Sequence, residues 1–301
     1  MQTHERLLSK ECSQLFRLWV DAKEKVYYDD GMEILKTLLL GVIQGVTEWL
    51  PVSSTGHLIL FDALFPLHVS EQCRNLMMVL IQLGSILAVI ILYWHTLNPF
   101  SPRMSKGERR SCWSLWTKVV VASVPVAIIG FLLDDFIESR LYTWQVVALT
   151  LALYGAAYIV LERKRKGRDG AIHSIDGISI PRAVGMGLFE ALALVPGTSR
   201  SGSTILGGML LGVDRKTASK FSFFLAIPAM FGASLLKLVK LGFALSGYEW
   251  TLVAFGFVVS FVVSLFAIKA LMRYLTSHDF QVFGWYRVIL AILVVLFFSL
   301  A

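Results

Sequence analysis

Residues 38–60 read LLLGVIQGVTEWLPVSSTGHLIL. A run this apolar belongs in a helix, yet Gln44, Glu48 and His57 sit within it and Pro51 stops the helix midway. Residues 191–208, ALALVPGTSRSGSTILGG, repeat the pattern, with Pro196-Gly197 at the break and Arg200 just beyond. Two apolar segments interrupted by Pro, Gly and hydroxyls, in corresponding halves of a chain, point to an inverted repeat with a site at its centre.

The rest of the chain supports a membrane setting. Of 301 residues, 56% are hydrophobic, and the mean hydropathy is +0.66. Apolar elements fall at 34–65, 77–95, 117–134, 144–162, 183–212, 219–242, 250–273 and 286–300. They form two sets of four, offset by roughly 135–150 residues, as an internal repeat requires. Most are long enough to cross a bilayer core of about 30 Å. The expected fold is an all-α polytopic membrane protein, with about six transmembrane helices and two re-entrant helical hairpins in an inverted repeat. The net charge of +7 leaves no soluble domain with a basic face, so no nucleic-acid partner is expected. The three cysteines are scattered without metal-ligand spacing. Residues 1–31 lack the apolar core of a signal peptide and read as an N-terminal appendage, with Met32 a candidate native start. Residues 32–301 read as one integral membrane domain, with repeat halves at about 32–165 and 180–301.

Charge placement sets a topology. The connections 96–116 and 163–182 hold Arg103, Lys106, Arg109 and Arg110, and Arg163, Lys164, Arg165, Lys166, Arg168 and Arg182. Both are therefore expected in the cytoplasm. The second broken segment starts beside Arg182 and ends beside Arg215 and Lys216, so it enters and leaves on that side. The first, by the same logic, dips in from outside. The basic residues of 1–36 argue the other way, for an inside N-terminus.

Gln44 and Glu48, four residues apart, share one helix face. A carboxylate at that depth is costly and pairs or coordinates something. Two oxygen-bearing side chains suit a hard cation such as Mg²⁺ or Ca²⁺; the plainer alternative is an interhelical hydrogen-bond pair. After Pro51 come Ser53, Ser54, Thr55 and His57. A helix restarting there offers N–H groups to phosphate, and a Ser beside a His can be a nucleophile with its base; the plainer alternative is capping and a structural histidine. Arg200, flanked by Ser199, Ser201, Ser203 and Thr204, needs an anionic partner at bilayer depth. Its fork matches phosphate oxygens; the plainer alternative is an ion pair with Glu48 or Glu190. Together these groups supply what phosphoryl transfer needs: charge neutralisation, a nucleophile or positioned water, and a clamp on oxygen.

Residues 44–57 resemble the first signature of the bacterial undecaprenyl-diphosphate phosphatase family, (E/Q)xxxE followed by PxSSxGH. Residues 196–204 resemble its second, PGxSRSxxT, and residues 81–89 also match. The resemblance runs from about residue 32 to the C-terminus. It implies hydrolysis of undecaprenyl diphosphate to the monophosphate, recycling of the lipid carrier of cell-wall synthesis, and bacitracin resistance. It also implies a divalent cation and a plasma-membrane enzyme whose site opens to the outer face. By motif position, Gln44 and Glu48 serve the metal, Ser54 and His57 the nucleophile and base, and Arg200 the diphosphate. Ser53, Thr55, Gly197, Ser199, Ser201 and Thr204 are the further substrate contacts. The attacking group is Ser53, Ser54 or a water, and His57 can alternatively protonate the leaving group. The sequence neither requires nor excludes a homo-oligomer. The rival function is a polyprenyl-phosphate transporter or flippase built on the same broken helices. The other membrane lipid-phosphatase signature needs a His five residues beyond Ser-Arg, and Leu206 occupies that position.

Overall fold

In the computed structural model, residues 30–165, 169–241 and 245–300 are described. They form α1 (Asp30–Thr47), α2 (Ser54–Leu64), α3 (Glu71–Leu92), α4 (Trp94–Leu97), α5 (Lys106–Leu141), α6 (Trp144–Lys164), α7 (Ile180–Leu192), α8 (Arg200–Leu210), α9 (Arg215–Leu241), α10 (Gly247–Tyr274) and α11 (Gln281–Leu300). Six of these are long and apolar enough to cross a membrane: α3, α5, α6, α9, α10 and α11. Their outward faces are apolar, with Phe131, Val239 and Phe266 among the most exposed side chains. A soluble monomer does not carry patches of that extent.

The helices begin where their caps dictate. Ser105 with Glu108, and Ser246 with Glu249, close capping boxes at the starts of α5 and α10. The α5 box lies inside a charged stretch, so the helix takes in Lys106–Arg110 and runs on to Leu141. The connections expected at 96–116 and 135–143 are correspondingly shorter. α11 likewise starts at Gln281, which places Arg287 within a helix rather than at its edge.

The broken segments become two helix pairs. α7 has 13 residues, α2 and α8 have 11 each, and at about 1.5 Å per residue each reaches only part of the way across a bilayer. α1 packs on α2, and α7 on α8. The pairs correspond closely: α2 and α8 share an offset of 146 residues at both ends (200 − 54 and 210 − 64). So do their N-caps, Ser53 and Ser199, which are the only non-glycine residues with positive φ among those described, at 74° and 71°. Each cap accepts a hydrogen bond from the amide three residues on, Gly56 N at 3.3 Å and Gly202 N at 3.1 Å.

Small residues let the neighbours close in. Gly41 of α1 meets Val259 of α10, and Gly187 of α7 meets Ala122 of α5. A methyl group at 187 would fall 1.9 Å from the Ala122 carbonyl oxygen. These two contacts also correspond across the halves, since α1 packs on α10 as α7 packs on α5. α3 crosses α9, and α6 crosses α11, where Gly155 and Gly284 face each other.

Candidate active site at the two helix breaks

Glu48 lies just beyond α1, buried, and gathers the site. Its Oε2 accepts hydrogen bonds from Gln44 Nε2 at 3.0 Å and Ser54 Oγ at 3.1 Å. Its Oε1 pairs with Arg200 Nη2 at 3.0 Å. One carboxylate thus joins α1, the start of α2 and the start of α8. Arg200 also donates Nη1 to the Ser222 carbonyl of α9 at 2.8 Å and lies 5.4 Å over the ring of Trp49. Of the two partners open to Arg200 on sequence, the one it bonds is Glu48. Glu190 is 1% exposed, and neither of its carboxylate oxygens has a hydrogen-bond partner among the described residues.

Gln44 Oε1, Arg200 Nε and Ser222 Oγ are likewise buried without hydrogen-bond partners among the described residues. Unsatisfied buried groups are costly. Concentrated around one ion pair, they are polar capacity for a ligand. The first turns of α2 and α8 add two positive helix ends.

Ser54 and His57 are not bonded to each other. His57 Nδ1–H donates to the Ser53 carbonyl at 2.7 Å. A carbonyl only accepts, so in the neutral ring Nε2 is the acceptor, and the Tyr286 hydroxyl donates to it at 2.6 Å. The two rings stack, 5.6 Å apart. Glu48 is therefore the base within reach of Ser54, and Tyr286 joins His57 at the rim.

Most other hydroxyls of the two signatures hold the breaks in shape. Ser53, fully buried, caps α2, and Ser199 caps α8. Ser201 Oγ donates to the Glu48 carbonyl at 2.9 Å and approaches that of Leu50 at 3.3 Å, while Thr204 bonds back to the Arg200 carbonyl. Gly197 has φ +83°, and a Cβ there would fall 2.3 Å from Thr150 Oγ1. Thr55 stands half-buried in the first turn of α2.

Sequence reasoning missed Arg287. It is fully buried in α11 and donates to carbonyls on both breaks: Pro51 at 3.3 Å, and Gly197 and Thr198 at 2.9 Å each. It also reaches the Thr150 carbonyl at 3.4 Å. A charged residue inside an apolar helix was the available signal.

For a divalent cation, the donors here are Glu48 and the unpartnered Gln44 Oε1, the oxygen chemistry a hard ion prefers. Both Glu48 oxygens already accept hydrogen bonds, so an ion would share or displace those donors. Among the described residues, the grouping of three acidic or histidine side chains able to hold a metal is a different one, Asp169, His173 and Asp214.

Fold and geometry together define a polytopic helical membrane protein whose polar centre is built from two broken segments. The family model described as bacitracin resistance protein BacA matches residues 37–293. A protein of Enterococcus faecalis named undecaprenyl-diphosphatase is 47% identical across 89% of this chain and 98% of its own length. One of Lactobacillus delbrueckii subsp. bulgaricus, with the same name, is 48% identical across 87% and 97%. One of Clostridioides difficile, named undecaprenyl-diphosphatase 1, is 46% identical across 89% and 97%. The chain belongs to the bacitracin resistance protein BacA family.

Proposed function

We propose that the protein hydrolyses undecaprenyl diphosphate to undecaprenyl phosphate and inorganic phosphate in the plasma membrane, recycling the carrier lipid for peptidoglycan synthesis and conferring bacitracin resistance. One observation carries the chemistry: Glu48 binds both the Ser54 hydroxyl and Arg200 where the two breaks meet. Pure lipid movement has no use for a carboxylate aimed at a serine hydroxyl, which sets the transporter alternative aside.

In this reading the diphosphate displaces Glu48 from Arg200, whose fork takes two phosphate oxygens. Glu48 accepts the Ser54 proton as Oγ attacks the terminal phosphorus. The Oγ–P bond forms, the bridging P–O bond breaks, and the lipid monophosphate leaves. Water then cleaves the phosphoserine, and the proton held by Glu48 returns to Oγ. His57, oriented by Ser53 and Tyr286, is placed to pass a proton at the rim. Glu48 and Gln44 would hold a divalent cation, which would supply neutralisation of phosphate charge. Ser53, Thr55, Gly197, Ser199, Ser201 and Thr204 shape the phosphate cradle, chiefly by fixing the backbone.

The matched helix pairs and the offset of 146 residues support an inverted repeat in one membrane domain, with halves at about 32–165 and 180–301. Residues 1–29 lie outside the described residues. The basic connections support a site open to the outer face, the first hairpin re-entering from outside and the second from the cytoplasm.

The test is phosphate release from undecaprenyl diphosphate by detergent-purified protein, with and without Mg²⁺ or Ca²⁺, beside Arg200→Ala. We expect cation-dependent release that the variant loses. A folded protein that releases none, yet moves polyprenyl phosphate across vesicles, would make this a transporter.

A further inference from the structure

We propose that Asp169, His173 and Asp214 form a metal site for a borderline divalent ion such as Zn²⁺, separate from the active site. One ligand atom from each lies within 4.8 Å of the others. Asp214 is the anchor. Its Oδ1 caps α9, accepting from Lys216 N at 3.0 Å and Thr217 N at 3.1 Å. Its Oδ2 is buried and has no hydrogen-bond partner among the described residues, with His173 Nδ1 3.7 Å away. A buried carboxylate oxygen left without a donor is paid for in folding unless a ligand meets it.

The backbone brings the other two ligands to it. Ile172 and Val213 form a parallel bridge, with Ile172 N donating to the Gly212 carbonyl and Asp214 N to that of Ile172. That pairing sets His173 beside Asp214. Gly170 permits the approach, since a Cβ there would lie 2.4 Å from the Val213 carbonyl carbon. Asp169 Oδ1 already takes Gly170 N and Arg215, so its second oxygen is the donor the site would use. Asp169 and His173 are exposed, so their side chains can close on an ion without repacking the core.

The donor set selects the ion. An imidazole with two carboxylates suits Zn²⁺, with water completing the shell. Arg215, Lys216 and Lys220 line the same cavity of about 580 Å³, so the three ligands must outweigh a positive surrounding, which favours the ion that binds imidazole as well as carboxylate. The ion would staple the connection that joins the two halves to the start of α9. Ser222, whose carbonyl holds Arg200, lies eight residues further along that helix, about 12 Å at the α-helical rise. The site is therefore distinct from Glu48.

The experiment uses full-length protein in detergent, stripped of metal, with Zn²⁺ binding followed by calorimetry and by thermal unfolding. We expect one tight Zn²⁺ per chain and a raised unfolding temperature. Asp214→Asn with His173→Ala, which keeps an N-cap on α9, should weaken binding at least tenfold and abolish the thermal shift, while Glu48→Gln should leave both unchanged. His173→Ala alone, at an exposed position, repeats the test if the double variant does not fold. Absence of tight binding, or tight binding that survives loss of His173, would overturn the proposal and leave the phosphatase assignment standing.

Discussion

At the scale of single residues, Arg200 and Glu48 form a mostly buried ion pair, which contributes little to stability after desolvation. In the proposed function the pair opens to receive the diphosphate. Arg200→Lys keeps the charge but loses the fork, and we expect kcat to fall about 10²–10³-fold, measured as phosphate release. Glu48→Gln keeps the hydrogen-bonding shape but cannot accept the proton, and a loss of about 10²–10⁴-fold is expected, together with a weaker response to added Mg²⁺ or Ca²⁺. Ser54→Ala separates the two chemistries: little residual turnover fits a phosphoserine, and substantial turnover means that water attacks directly. The buried pair of Glu48 and Arg200 was legible in the sequence because charge at membrane depth is expensive. The divisions within the hydroxyl-rich signatures were not. Ser54 and Ser201 look alike on paper, but Ser54 is the first residue after its cap and bonds Glu48's carboxylate, whereas Ser201 is the second after its cap and bonds Glu48's carbonyl.

At the scale of elements, the breaks are held by backbone geometry as much as by side chains. Gly197→Ala would place a Cβ in a left-handed conformation and into Thr150. We expect a loss of well over 1 kcal/mol, read as a lower unfolding temperature, with activity falling in parallel. Ser201→Ala removes the staple between the two breaks and should cost about 1 kcal/mol. The same assay should show a larger rise in KM than fall in kcat, since Ser201 touches backbone rather than the reacting atoms. The existence and order of the helices followed from hydropathy, and both breaks from Pro and Gly. Helix ends did not follow, because capping boxes at Ser105 and Ser246 extend α5 and α10 through polar residues that hydropathy assigns to loops.

At the scale of the whole molecule, Arg287 ties α11 to both breaks and to α6. Arg287→Met would leave several carbonyls without donors in the interior, at about 1–3 kcal/mol each. We expect severe thermal destabilisation in detergent, where Arg287→Lys restores only part. The arrangement across the membrane has its own test. In a cysteine-free background, Tyr142→Cys should react with an impermeant maleimide on intact cells and Phe100→Cys only after lysis; the reverse pattern would invert the topology. Arg287 escaped the sequence because it stood at the edge of the apolar run read there, and its bonds go to carbonyls 89 to 236 residues away.

The paired caps carry a consequence for descent. With Ser53 and Ser199 in register, Ser54 and Arg200 occupy the same slot, the first residue of α2 and of α8. A duplicated ancestor with identical halves would have filled both slots alike, with two hydroxyls and no anion clamp, or two guanidinium groups and no nucleophile. In the repeat and roles proposed here, the halves divide the chemistry at this slot and at others, since Glu48 corresponds to Leu194 and His57 to Ser203 at the same offset. Neither copy can now stand in for the other, so a lesion in either slot has no spare.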